Sequence, residues 1–124
     1  MQRVRGIGGV FFKAKDPAAL ARWYRDHLGV AVEDWGGARF GWADHDPRRD
    51  AATIWNPFPA DTAYFAPSKA SFMVNFRVDD LDAMLAQLRA AGDVVDDKIE
   101  DSEFGRFGWV MDPEGNRVEL WQPA

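Results

Sequence analysis

The chain has 124 residues, the length of a single domain, and its 20 acidic and 15 basic side chains give a net charge of −5 at pH 7. This charge argues against binding to nucleic acid or to an anionic membrane surface, because both would repel it. The chain has no cysteine, which excludes disulfides, thiolate metal sites and a cysteine nucleophile.

No apolar segment has the length of a signal peptide or a transmembrane span. We therefore expect a cytoplasmic protein, and the richness in Ala, Arg and Asp suggests a bacterial source.

The first half of the chain predicts a strand at residues 7–15, followed by a helix. Asp16 is suited to cap this helix, Pro17 to occupy its first turn, and Gly29 to end it. Three further strands are predicted at residues 30–34, 39–43 and 52–55, with a turn at Gly36-Gly37 between the first two.

The second half repeats this order. A strand at residues 71–78 leads through Asp79-Asp80 into a helix that runs to Gly92, and strands are predicted at residues 94–99, 106–111 and 117–121. The sequence Asp-Pro-Glu-Gly-Asn at 112–116 has the residues of a tight turn, because Pro restricts φ, Gly permits a positive φ, and Asp and Asn bond their own backbone. The last two strands therefore form a hairpin that places Glu119 on one face of a sheet.

This hairpin resembles the vicinal oxygen chelate superfamily, which includes glyoxalases, extradiol dioxygenases, fosfomycin-modifying enzymes and bleomycin-resistance proteins. The resemblance covers nearly the whole chain and implies an α+β fold, in which two tandem βαβββ modules form a curved mixed sheet with a cleft. We expect one glyoxalase-like domain over residues 1–124, with module one at about 1–56, a linker at 57–69 and module two at about 70–124. The linker is placed to cover the mouth of the cleft.

Members of this superfamily usually hold a divalent metal through the first and last strand of each module. The resemblance assigns those four positions to Gly9, Thr53, Met73 and Glu119, the second of them through the echo between Trp55-Asn56-Pro57 and Trp121-Gln122-Pro123. Only Glu119 is a good ligand, and one carboxylate does not hold such a metal against water. We therefore expect no metal site and no cofactor.

Neither histidine is placed to complete this set of metal ligands. His27 lies near the end of the first helix, and His45 lies in the polar loop at residues 44–50, so both are interpreted as surface residues.

Alternation along the strands predicts an aromatic concave face with few polar groups, which suits a small-molecule cleft. The alternative is that these aromatic side chains fill a closed core. The candidate ligand-binding residues are Phe11, Thr53, Trp55, Met73, Asn75, Phe107, Trp109 and Trp121.

Glu119 is the candidate catalytic residue, with Asn75 and Thr53 as its nearest hydrogen-bonding neighbours. If the carboxyl is buried among neutral partners, desolvation raises its pKa. It would then suit a proton donor, a general base or an anchor for a cationic ligand. Alternatively it is a relic that bonds a backbone amide or water.

Three functions remain open. The first, which we favour, is a small-molecule-binding protein of the bleomycin-resistance type, without the usual metal, that binds an aromatic or cationic ligand. The second is a glyoxalase-like lyase or isomerase that uses Glu119 with an unconventional or absent metal. The third is a dimeric partner module without a ligand. For all three we expect a homodimer.

The first prediction concerns metal content. Protein purified without chelator should contain no stoichiometric zinc, nickel, iron or manganese, because three of the four expected ligand positions hold Gly9, Thr53 and Met73. Elemental analysis by mass spectrometry measures this directly. One tightly held ion per chain would contradict the metal-free interpretation.

Overall fold

The computed structural model of the chain describes residues 1–41 and 52–124. His45 and the end of the predicted strand 39–43 lie outside the described residues. Within the described part the elements follow in the order β1 (Val4–Ala14), α1 (Pro17–Leu28), β2 (Ala38–Gly41), β3 (Ala52–Pro59), β4 (Phe72–Val78), α2 (Leu81–Ala90), β5 (Glu100–Ser102), β6 (Gly105–Met111) and β7 (Arg117–Pro123).

All these strands belong to one mixed sheet, in the order β2-β3-β1-β4-β7-β6-β5, which curls into a half-barrel. The two halves of the chain meet where β1 pairs antiparallel with β4. Each of these central strands also has a parallel partner from its own half, β3 for β1 and β7 for β4. The predicted α+β fold with a curved mixed sheet is therefore confirmed.

Both helices begin where the sequence predicts. The side chains of Asp16 and Asp80 each accept a hydrogen bond of 3.0 Å from a backbone amide three residues later, which satisfies a free donor of the first turn. Gly29 ends α1 with a φ of +70°, a conformation that favours glycine. α1 lies against β1 and β3, and α2 lies against β6 and β7.

Apolar side chains are buried on both faces of the sheet. On the outer, helix-bearing face α2 packs on the sheet through Val78, Leu81, Met84, Leu85 and Leu120. On the inner, concave face a second cluster contains Phe11, Phe65, Met73 and Trp109. Phe65 comes from the predicted linker, so this segment folds back onto the concave face. No helix in the described ranges is long and apolar enough to cross a membrane.

The strand register relates the two halves position by position. Phe11 and Asn75 each lie five residues before the aspartate that caps the following helix. Phe11 pairs with Asn56 on β3, and Asn75 pairs with Glu119 on β7. The counterpart of Glu119 in the first half is therefore Asn56, and the predicted counterpart, Thr53, is wrong by three residues.

The prediction of a strand at residues 30–34 is also wrong. Its hydrogen bonds are local: the amide of Val32 donates to Val30 O, and the amide of Glu33 donates to Gly37 O across a turn in which Gly36 has a φ of +95°. The alternating valines therefore belong to an extended connection rather than to a sheet strand, and the described part of the first module has the order βαββ instead of βαβββ.

A similar correction applies to residues 94–99. Val95 forms only an isolated bridge with Val110, and the side chain of Asp96 accepts a hydrogen bond from the amide of Lys98, which bends the chain. The strand begins later, as β5. The extra aspartates at 96 and 97 favour a turn over the strand that the two valines suggested.

Candidate functional site

The hairpin between β6 and β7 places Glu119 at the centre of the concave face. The side chain of Asp112 accepts hydrogen bonds from the amides of Glu114 and Asn116, at 2.9 and 2.8 Å, and Gly115 adopts a φ of +81°. The register that follows sets Glu119 opposite Trp109 on β6 and beside Asn75 on β4. The predicted hairpin is present, and local turn chemistry determines the position of the carboxylate.

Three neutral side chains donate hydrogen bonds to the Glu119 carboxylate. The Tyr64 hydroxyl and the Trp109 indole N–H both donate to Oε2, at 2.6 and 2.9 Å. The Asn75 amide donates to Oε1 at 2.7 Å, as the sequence predicted. Glu119 is 1% exposed, so this network replaces the water that the carboxylate would otherwise bind.

Burial raises the pKa of Glu119 above its usual value, because the charged form loses its hydration. The three hydrogen bonds and the nearby Arg117 oppose this shift without cancelling it. Burial and the adjacent Glu119 also raise the pKa of the Tyr64 hydroxyl, which therefore stays protonated and remains a donor.

Arg117 contacts two members of this network, Trp109 and Tyr64. Its guanidinium carbon lies 4.6 Å from the centroid of the Trp109 ring, and its Nη2 pairs with Asp96 at 3.2 Å. Its Nη1 donates to the backbone carbonyl of Tyr64. Arg117 thus attaches the linker segment to the sheet beside the carboxylate.

A cleft of about 530 Å³ opens above the site. Five of the residues predicted for the site line it, namely Phe11, Asn75, Phe107, Glu119 and Trp121. The Phe107 and Trp121 rings lie parallel, with centroids 6.0 Å apart, and the indole N–H of Trp121 donates to Phe104 O, which orients the ring. A flat aromatic surface therefore forms one wall.

The other predicted residues lie elsewhere. Met73 and Trp109 are 0% and 1% exposed and belong to the cluster under the floor, as in the alternative that these side chains fill a core. Trp55 packs on the outer face, with its ring 4.8 Å from that of Tyr24 on α1, and Thr53 donates to the backbone oxygen of Ile7. Glu119 accordingly receives no hydrogen bond from Thr53.

The error on β3 has a simple cause. The repeated Trp-x-Pro sequences at 55–57 and 121–123 suggested an alignment that the strand register does not follow, and the offset of three residues is odd. An odd offset exchanges the two faces of a strand. Ile54, Asn56 and Phe58 therefore line the cleft in place of Thr53 and Trp55.

Tyr64 belongs to the candidate site but was not predicted from the sequence. It lies in the linker, 55 positions from Glu119, so no local pattern connects the two residues. The available signal was the aromatic pair Tyr64-Phe65 inside a segment bounded by prolines, because exposed linkers seldom carry two large aromatic side chains.

The residues present do not fit the divalent metal of related proteins. Among the described residues no group of three or more His, Cys, Asp or Glu could hold an ion. The oxygens of Glu119 already accept three hydrogen bonds from groups that are not ligands for such a metal. At Gly9, a Cβ atom would lie 2.8 Å from the backbone oxygen of Ile54, so the position is filled by neighbouring backbone.

Comparison with known proteins agrees with this architecture. The sequence profile of the glyoxalase-like domain family matches residues 9–121. The chain therefore belongs to that family, within the glyoxalase/bleomycin resistance/dioxygenase (vicinal oxygen chelate) superfamily. Among curated proteins, no relative matches the sequence.

Solved structures share the fold. Methylmalonyl-CoA epimerase from Mycobacterium tuberculosis is 26% identical over 98% of this chain and 89% of its own, with a TM-score of 0.65. A variant of the Streptomyces coelicolor methylmalonyl-CoA epimerase in complex with 2-nitronate-propionyl-CoA is 21% identical, with coverage of 95% and 96% and a TM-score of 0.67. A superfamily member from Vibrio splendidus 12B01 is 14% identical, with 97% of both chains covered and a TM-score of 0.58.

The second prediction concerns the pKa of the Glu119 carboxyl. Because the folded pKa is raised, the folded carboxyl keeps its proton at pH values where the unfolded chain has released it. The stability that Glu119 contributes is therefore complete below the usual glutamate pKa of about 4.3 and is lost as the pH rises through the raised value. Urea unfolding at a series of pH values should show the wild type losing stability relative to Glu119→Gln as the pH increases.

Glu119→Gln preserves the network, because its amide oxygen accepts from Tyr64 and Trp109 and its nitrogen donates to Asn75 Oδ1, which has no donor among the described residues. This requires only rotation of the Asn75 amide. Glu119→Ala leaves three buried donors without an acceptor and should destabilise the protein by at least about 2 kcal/mol. A difference between wild type and Glu119→Gln that does not change with pH would contradict a raised pKa.

Proposed function

We propose that the chain binds a small aromatic or cationic molecule in this cleft and does so without a divalent metal. The observation that carries the proposal is the carboxylate of Glu119, held by three neutral donors at the floor of an aromatic cleft. A planar ring stacks on the Phe107–Trp121 wall, and an amine is attracted both by the aromatic faces and by Glu119. The cytoplasmic location and the bacterial source stay predictions.

The alternative function is proton transfer on a carbon acid, with Glu119 as the base. The raised pKa of its carboxyl favours this chemistry, and so does the similarity to the epimerase from Mycobacterium tuberculosis. The cleft is poorly suited to a coenzyme A thioester, however, because Arg39 is the only cation among its described lining residues and the thioester carries several phosphate charges.

Solvent exchange separates the two functions. Methylmalonyl-CoA incubated with the protein in deuterated water should exchange its α-proton no faster than in buffer alone if the chain only binds ligands. Incorporation of deuterium that Glu119→Gln abolishes would establish the enzyme.

The third prediction tests the binding cleft. 2-Phenylethanol and phenethylamine absorb little at 295 nm and so do not attenuate the excitation light, and either compound, when bound beside Trp121, should quench the tryptophan fluorescence saturably. Trp121→Leu should weaken both ligands, because it removes half of the aromatic wall, and stacking contributes about 0.5–1.5 kcal/mol per contact. Glu119→Gln should weaken the amine alone, by at least about tenfold, or roughly 1.4 kcal/mol.

Trp23→Leu is the matched control, because Trp23 is an exposed tryptophan on α1, 48% accessible and remote from the cleft lining. Equal effects of Trp23→Leu and Trp121→Leu on ligand affinity would contradict a role of the Phe107–Trp121 wall in binding.

The fourth prediction concerns assembly, and we propose a homodimer. Ile7, Val10 and Phe72 are 46%, 40% and 43% exposed on the adjacent central strands β1 and β4, on the helix-bearing face of the sheet. A second copy would cover this apolar surface. Light scattering should give about 28 kDa, twice the chain mass of 14.0 kDa.

Val10→Asp should convert the dimer to a monomer, whereas Val94→Asp, at a 69% exposed position outside this surface, should not. A monomeric wild type at micromolar concentration would contradict the proposal.

A further inference from the structure

The cleft contains polar side chains that the Glu119 network does not use. Of the polar residues in its described lining, Tyr64, Asn75 and Glu119 bond one another. Asn56 and Arg39 also line the cleft, but their side chains form no hydrogen bond or ion pair with another residue in the described ranges. Their donors are therefore available to a ligand.

Asn56 and Arg39 are close neighbours on one face of the sheet. Arg39 on β2 pairs with Ile54 on β3, and Asn56 follows two residues later on the same side. Diagonal neighbours of this kind are roughly 7–8 Å apart, within reach of a long arginine side chain. Ile54 and Phe58 flank Asn56 and line the same part of the cleft, so the Asn56 amide lies beside apolar surface, whereas Arg39 is exposed.

We propose that Arg39 and Asn56 form a carboxylate-binding subsite, so that the ligand is an aromatic acid. This inference rests on the proposed binding function. The planar guanidinium offers paired N–H donors that match the two oxygens of a carboxylate, and the Asn56 amide adds another donor. The ring of the same ligand then lies over Phe11 towards the Phe107–Trp121 wall.

Two acidic residues limit the charge of this ligand. Glu33 lines the same end of the cleft without forming an ion pair with Arg39, so it leaves the guanidinium available but repels a second negative charge. Glu119 lies on β7, three strand spacings from β3, which is about 14 Å along the sheet before curvature. Arg39 lies one strand further away, on β2, so a single carboxylate held by Arg39 and Asn56 does not contact Glu119.

The closing experiment compares 3-phenylpropionate with 2-phenylethanol, which share a ring and differ in the carboxylate. Dissociation constants are measured by quenching of tryptophan fluorescence on the wild type and on Arg39→Gln, Asn56→Leu and Arg22→Gln. Arg22 is an exposed arginine on α1, so its substitution changes the net charge equally without touching the cleft. Asn56→Leu should fold normally, since the Asn56 side chain bonds no described residue.

The wild type should bind the acid at least about tenfold more tightly than the alcohol. Arg39→Gln should abolish that preference and Asn56→Leu should reduce it, while neither changes the affinity for the alcohol and Arg22→Gln changes nothing. Equal binding of acid and alcohol by the wild type, or equal effects of Arg39→Gln and Arg22→Gln, would overturn the carboxylate subsite alone. If neither compound binds, the proposed binding function is overturned together with it.

Discussion

The buried carboxylate of Glu119 is the interaction on which the concave face depends. It joins parts of the chain that are remote in sequence, because its donors come from the linker, from β4 and from β6. Each hydrogen bond to a charged group contributes about 1.5–3 kcal/mol, and three together offset much of the cost of removing a carboxylate from water. The acceptor adds to the burial of Phe65 and to the Arg117 hydrogen bond in holding the linker against the sheet.

This arrangement divides the cleft between the two modules. In the second module Asn75 and Trp109, together with Tyr64 of the linker, donate to Glu119 and form the floor of the cleft. In the first module the equivalent position holds Asn56, whose amide is not committed to a described neighbour. The equivalent positions of the two modules therefore hold the hydrogen-bonded carboxylate of Glu119 and the side-chain amide of Asn56, which is available to a ligand. Under the proposed function, the first module supplies the polar contacts to a ligand through Arg39 and Asn56, and the second module supplies the Phe107–Trp121 wall.

Features governed by local chemistry were predictable from the sequence. The caps at Asp16 and Asp80 and the turn at residues 112–116 depend on neighbouring residues alone, so their positions are correct. The contact between Asn75 and Glu119 was expected from alternation along β4, counted from the position that the family resemblance assigned to Met73. Features governed by long-range register were not predictable. The side chains of β3 face opposite to the prediction because strand pairing, rather than a repeated tripeptide, determines which residue opposes Phe11. The contact of Tyr64 depends on the path of a linker, which no periodicity encodes.

Gly9 limits the substitutions that β1 can accept. Any side chain at that position, a metal-binding one included, meets the backbone of β3, which cannot move without shifting the strand. A single substitution at Gly9 therefore cannot introduce a metal ligand without moving β3. Position 9 is therefore held at glycine by its neighbour strand, and a variant with a side chain there must also widen the spacing between β1 and β3.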